Sequence, residues 1–109
     1  MGVPVGSILA QGQLGTTQAE VYRTPVGKRS YIAAFRVLAL SGPAQTVVVY
    51  LKKSGGTATE IDRCELTSAF WSAEFVEGPL WPLNAGDAVE AKTTTAAVVN
   101  YTLMGGEAS

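Results

Sequence analysis

The chain has 109 residues, 8 Lys and Arg against 9 Asp and Glu, no histidine and a single cysteine, for a formal net charge of −1. That length fits one domain, and the near-neutral balance offers no basic patch for nucleic acid. A lone Cys64 excludes an internal disulfide, and the absence of histidine excludes a His-based triad or a His zinc site.

From the first residue onward, Met1–Ala19 carries no charge, and Glu20 is the first ionised side chain. Disordered tails are usually charged and poor in large apolar groups. Val3, Val5, Ile8, Leu9 and Leu14 therefore point to an extended strand or a segment laid on a neighbour, and residues 1–18 read as an N-terminal arm ahead of a domain over 19–109. The first basic residue is Arg23, so the segment lacks the charged start of a secretory signal.

Beyond Glu20, turn signals fall at Thr24-Pro25-Val26-Gly27, Ser41-Gly42-Pro43, Ser54-Gly55-Gly56, Gly78-Pro79 and Asn84-Ala85-Gly86-Asp87. Proline presets φ at such places and glycine supplies positive φ without steric cost. The runs between them are rich in Val, Thr, Tyr and Ile, which suit a pleated, half-buried surface. Strands are predicted over Ser7–Leu14, Ala19–Arg23, Arg29–Leu40, Gln45–Leu51, Thr59–Glu65, Glu74–Val76, Ala88–Thr93 and Val98–Met104. Thr67–Ala73 has room for one helical turn. No longer stretch shows a 3.6-residue period or reaches the ~18 apolar residues of a membrane-spanning helix. The fold class is all-β: a single antiparallel sandwich, jelly-roll-like.

Alternation assigns faces. Val89 and Ala91 point inward against Glu90 and Lys92. Val99, Tyr101 and Leu103 point inward against Asn100 and Thr102. Two strands are apolar on both faces. In Arg29–Leu40 the odd residues Tyr31, Ala33, Phe35, Val37 and Ala39 form the core face, leaving Ile32, Ala34, Leu38 and Leu40 beside Arg36 on the other. In Gln45–Leu51, Val48 and Tyr50 oppose Val47, Val49 and Leu51.

The charge content is also low, at 16% of residues, where an ordinary soluble domain has about 25%. Either the surface is a neutral skin of Gly, Ala and Thr, or part of it faces protein instead of water. The second reading makes Ile8, Leu9, Leu14, Ile32, Arg36, Leu38, Trp71 and Trp81 the candidate interface residues, with self-association expected.

Chemistry finds little footing. Glu60 and Asp62 share a predicted strand face near Arg63 and Glu65, with Lys52 and Lys53 across the hairpin, which reads as a solvated edge that discourages aggregation. Asp87 is placed to hydrogen-bond its own turn. Cys64 has no histidine to activate it. Gly12–Gly15 lacks the Gly-Lys-Ser/Thr of a phosphate loop. Trp71 and Trp81 remain open as core residues, interface anchors or a platform for sugar rings. No catalytic residue, cofactor or metal is expected.

The layout Tyr22-x-x-Pro25-x-Gly27-Lys28, a long apolar strand, a Val-rich strand, then Leu83-x-x-Gly86-Asp87-x-Val89 and a last strand ending near Gly105-Gly106-Glu107 resembles the small β-sandwich virion proteins of tailed bacteriophages. That group includes head-decoration (cement) proteins and some neck and tail components. The resemblance spans Ala19–Glu107 and rests on turn chemistry. Leu-x-x-Gly-Asp-x-Val also occurs in trimeric C1q-like and tumour-necrosis-factor-like jelly rolls. It implies a non-enzymatic part made in the host cytoplasm, placed on the outer surface of the capsid. Its partners would be the major capsid protein or other virion proteins, and it would form a homo-oligomer, trimers being common in the group. Neck, tail or fibre-base placement, or a carbohydrate- or receptor-binding module, are the alternatives.

Overall fold

The computed structural model describes residues 7–41, 44–68, 70–75 and 81–108. The expectations on Val3, Val5, Gly42-Pro43, Val76 and Gly78-Pro79 lie outside these residues. Among them run nine strands: β1 (Ser7–Gln13), β2 (Ala19–Arg23), β3 (Arg29–Ala39), β4 (Gln45–Lys52), β5 (Ala58–Leu66), β6 (Ser72–Glu74), β7 (Trp81–Leu83), β8 (Ala88–Lys92) and β9 (Val99–Ala108). In place of a helical turn, the described part of 67–73 is a bend and a turn leading into β6.

The strands form two antiparallel sheets. One has the order β1-β9-β3-β6, with β7 also on β3; the other has the order β2-β8-β4-β5. Apart from the β4–β5 hairpin and the β6–β7 pair on β3, successive strands pass from one sheet to the other and return beside an earlier partner, which is the doubled Greek key of a jelly roll. The short β6 and β7 share one edge of β3 and together stand where one longer strand would be.

Residues 7–13 pair with β9 along their length, and Leu14 behind them is core. This part of the expected arm is a strand of the sandwich, as the extended-strand reading has it.

Between the sheets lie Ile32, Phe35, Val37, Val47, Val49, Leu66, Val89, Val99 and Leu103, among others. Phe35 meets the Phe75 ring edge-on, centroids 5.5 Å apart, and lies tilted against Tyr101 at 6.1 Å. Gln45 is buried yet satisfied: its Oε1 accepts from Thr93 Oγ1 at 3.0 Å and from the Thr95 N–H at 2.7 Å.

The turns behave as their chemistry dictates. Gly27, Gly55 and Gly86 hold positive φ. Asp87 accepts from the Asn84 N–H with Oδ2, and with Oδ1 from the Ser54 N–H of the neighbouring hairpin. At one end a clasp joins the sheets, with Tyr22 donating its hydroxyl to Glu107 at 2.5 Å and Lys28 Nζ 3.7 Å from the same carboxylate.

The two-faced strands have a local explanation. A bulge between Ile32 and Ala34 shifts the register of β3 against β9. An extra residue reverses which parity points inward. Ser30 and Ile32 face the core before it, and Phe35, Val37 and Ala39 after it. Ile32 is fully buried and cannot contact a partner, contrary to its assignment as an interface residue. On β4, Val48 does point outward but is only 6% exposed. Lys92 of β8 and Arg63 of β5 sit directly opposite it on either side, where their aliphatic stems cover it while their charges stay in water.

Strand β9 does not stop at Gly105-Gly106 but runs through it to Ala108. A Cβ on Gly105 would stand 1.9 Å from the Tyr31 carbonyl oxygen, and one on Gly106 would meet the Tyr31 ring at 2.7 Å. The glycines mark a close approach of β9 to β3 and not a strand end.

Candidate functional site: the outer face of the β1-β9-β3-β6 sheet

Cross-strand register decides which side chains share the outer face of this sheet. Gln13 pairs with Asn100, which pairs with Leu38, which pairs with Ser72; Gln11, Thr102, Arg36 and Glu74 form the next row. Met104 stands between Ile8 and Ala34 in a third row. The amides and hydroxyls are linked along the surface, Gln11 Nε2 donating to Thr102 Oγ1 at 3.3 Å and Gln13 Nε2 to Asn100 Oδ1 at 3.2 Å.

Arg36 and Glu74 are the charges in these rows, and they face each other at 3.8 Å. The centre of the face is a shallow trough of about 480 Å³ lined by Arg36, Leu38, Ser72, Asn100, Thr102 and Met104. One end of the sheet carries an apolar tip. Phe70 donates its N–H to the Ala39 carbonyl and Ala39 donates to the Trp71 carbonyl. Phe70 is 76% exposed, Trp71 51% and the adjoining Leu40 36%. Phe70 also holds φ +63°, a conformation bulky side chains rarely adopt.

Of the candidate interface residues, Ile8, Arg36 and Trp71 are at the surface, with Ile8 57% exposed, and Leu38 is half-buried in the trough wall. Leu9 and Trp81 are half-buried and packed against the core, while Leu14 joins the core outright. Leu14 thus makes no interface, because it shares the inward parity of Gly12, opposite to the outward Gln11 and Gln13. Trp81 lies opposite Ile32, whereas Trp71 bonds to Ala39 seven residues along the same strand. At about 3.3 Å per residue the two are roughly 23 Å apart along β3. They do not build one platform.

Gln11, Gln13, Asn100, Thr102, Ser72 and Met104 were not among the candidates. Their signal was present in the sequence as polar residues of one parity on each strand, Gln-x-Gln in the uncharged N-terminal segment and Asn-x-Thr-x-Met near the C-terminus.

The opposite outer face, on the β2-β8-β4-β5 sheet, is ionised. Glu90 and Lys92 of β8 flank Tyr50 and Val48 of β4, with Glu60 and Arg63 beyond them on β5. Arg63 holds Glu60 through paired bonds of 2.8 Å, and Arg23 holds Glu20 likewise at 2.7 and 2.8 Å. These hydrogen bonds keep both carboxyls below their ordinary range. A bulge opposite Val49 and Tyr50 places Glu60 with outward Tyr50, and Asp62 with inward Val49. The two carboxylates accordingly do not share a face as the plain alternation had them. Among the described residues no group of three or more His, Cys, Asp or Glu is placed to hold a metal ion. Cys64 is half-buried, and burial together with the nearby Asp62 charge pushes its thiol up to about 11.

No protein-family model matches the chain, and no curated protein does. Among solved structures it is similar to a protein of Bacillus endospore appendages, described as a novel family of disulfide-linked pili. The match has a TM-score of 0.57 and 19% identity over 96% of this chain and 87% of that one. At that identity the likeness bears on the fold, an all-β sandwich of two antiparallel sheets.

Proposed function

We propose that this chain is a non-catalytic structural subunit that assembles with other protein chains through the outer face of the β1-β9-β3-β6 sheet. In its finer form the proposal is a decoration protein that binds and stabilises the assembled head of a tailed phage. One observation carries the structural reading: the rows of that face hold a single ion pair, Arg36–Glu74, whereas the opposite outer face carries Glu60, Arg63, Glu90 and Lys92. On the face with the single pair, Ile8, Leu38 and Met104 stand among neutral amides and hydroxyls, with Phe70 and Trp71 exposed beside them. Depletion of charge with apolar and aromatic enrichment is the composition of an interface centre.

The capsid reading is supported by the resemblance of Tyr22–Lys28 and Leu83–Val89 to virion jelly rolls. Its mechanism is linkage: a ligand that binds only the assembled shell stabilises it by mass action. Purified protein is expected to add to expanded, undecorated capsids at micromolar concentration and to raise their melting temperature. Absence of binding under those conditions would remove the capsid reading.

A subunit of a protein appendage is the second reading, favoured by the fold match to a pilus protein. Covalent head-to-tail linkage needs two thiols per subunit, and these 109 residues hold only Cys64. These residues alone could not supply a chain of disulfides along such a fibre. Electron microscopy of concentrated protein distinguishes the readings, since fibres would favour the appendage and discrete particles the capsid part.

A further inference from the structure

Sheet edges are the other surface at which β proteins associate, because an edge strand presents unpaired N–H and C=O groups. Of the four edges formed by the described residues, three are guarded. Strand β2 carries the Glu20–Arg23 ion pair and a bulge between Glu20 and Tyr22. Strand β5 carries Glu60, Asp62, Arg63 and Glu65 and is itself bulged at Ile61. The β6/β7 edge is split into two pieces of three residues.

Strand β1 has the sequence SILAQGQ, with neither charge nor proline. Its one irregularity, between Ile8 and Ala10, lies outside Gln11–Gln13. Leu14 donates its N–H to the Val99 carbonyl at 2.9 Å. In an antiparallel ladder the direction of the main-chain groups alternates. Leu14 and Gly12 therefore address β9, while the N–H and C=O of Gln11 and Gln13 point away from it. Among the described residues no strand pairs with that side.

We propose that Gln11–Gln13 pairs with the same segment of a second copy of this chain, antiparallel about a two-fold axis at Gly12. In this register Gln11 and Gln13 of one copy exchange main-chain hydrogen bonds with Gln13 and Gln11 of the other. Gly12 meets Gly12 at the non-hydrogen-bonded position, where the Cα atoms come closest. The match is self-complementary, as a two-fold interface requires. It joins the two β1-β9-β3-β6 sheets into one continuous sheet and places the Gln11 and Gln13 side chains of both copies side by side on the neutral face. With no ionised group on the edge, nothing repels the second copy.

The pairing deepens the structural-subunit reading by naming one partner, yet the two fail separately. Capsid addition tests the face, and exchange at Gln11 and Gln13 tests the edge.

Amide hydrogen exchange followed by NMR across a concentration series tests it on the intact chain. The Gln11 and Gln13 amides are expected to slow by about tenfold or more as the protein passes from monomer to dimer, in step with light scattering. A chain that stays monomeric to millimolar concentration overturns the proposal, as does a dimer or trimer whose Gln11 and Gln13 amides exchange at the open-strand rate. A second test reads the register. Gln11→Lys with Gln13→Lys, and separately Gln11→Glu with Gln13→Glu, place like charges opposite each other and should each give monomers, whereas their mixture should restore a heterodimer. Dimers of either variant alone, or no heterodimer on mixing, contradict the Gly12-centred pairing. Melting temperatures close to that of the parent confirm that each variant folds.

Discussion

The two outer faces of this sandwich solve the same problem in opposite ways. On the β2-β8-β4-β5 sheet the apolar Val48 lies beneath the stems of Lys92 and Arg63, and ion pairs such as Glu60–Arg63 keep the surface in water. On the β1-β9-β3-β6 sheet Leu38 and Met104 sit among Gln, Asn, Thr and Ser, and the single Arg36–Glu74 pair in the row between them leaves Leu38 only half-buried. Low overall charge is thus an average of one ordinary surface and one bare one. A face that covers itself needs no partner; a face that does not is where a partner gains most.

The sharpest way to break this contrast is to ionise the bare face. Leu38→Asp or Thr102→Lys should weaken association by about 100-fold or more, since burying an uncompensated charge at an interface centre costs about 3 kcal/mol. Both should leave the melting temperature of the isolated chain nearly unchanged. Tyr50→Lys on the opposite face should leave association intact, and calorimetric titration would read all three.

Next in size is the thiol on the charged sheet. A thiol whose pKa is raised from 9.0 to about 11 holds about 100-fold less thiolate at neutral pH, so Cys64 should react with a disulfide reagent about 100-fold more slowly than a free thiol. Because the folded form holds its proton longer, this contribution to stability is intact below pH 9 and lost as the pH rises toward 11. Labelling at the rate of a free thiol would contradict the burial of this strand.

A smaller effect separates the two outward aliphatics. Val48→Ala removes a covered side chain and should cost about 1–2 kcal/mol, whereas Leu38→Ala in the isolated chain should cost less, because Leu38 is half in water. Equal losses in urea melts would mean that both faces are equally closed.

The smallest belongs to Glu20, held low by its hydrogen bond from Arg23. Its stabilisation is present above the ordinary carboxylate value of 4.5 and vanishes as the pH falls through its lower folded value. For an exposed pair, Glu20→Gln should change stability at neutral pH by under about 1 kcal/mol. A larger loss would show the pair to be structural.

Turn chemistry made most of the strand limits legible in the sequence, as at Pro25-Val26-Gly27 and Asn84–Asp87, and alternation gave the inner faces of β8 and β9 correctly. The reversed faces have one physical source. A bulge inserts an ordinary residue, Ala33 in β3 or Ile61 in β5, with no local signature, and everything beyond it changes face. Ile32 was therefore assigned outward, and Glu60 and Asp62 were paired. Strand β7 escaped notice because Pro82 discourages a strand reading, although an edge position tolerates proline. The bare face needed the register of three strands at once, which no single run displays.

Hydroxyl-radical footprinting of the chain, free and then assembled with its partner, measures the contrast between the faces at the side chains themselves. Met104, Leu38 and Trp71 should lose reactivity on assembly while Tyr50 and Ile61 keep theirs. Protection of Tyr50 and Ile61 with Met104 still reactive would place the contact on the ionised face and contradict the account.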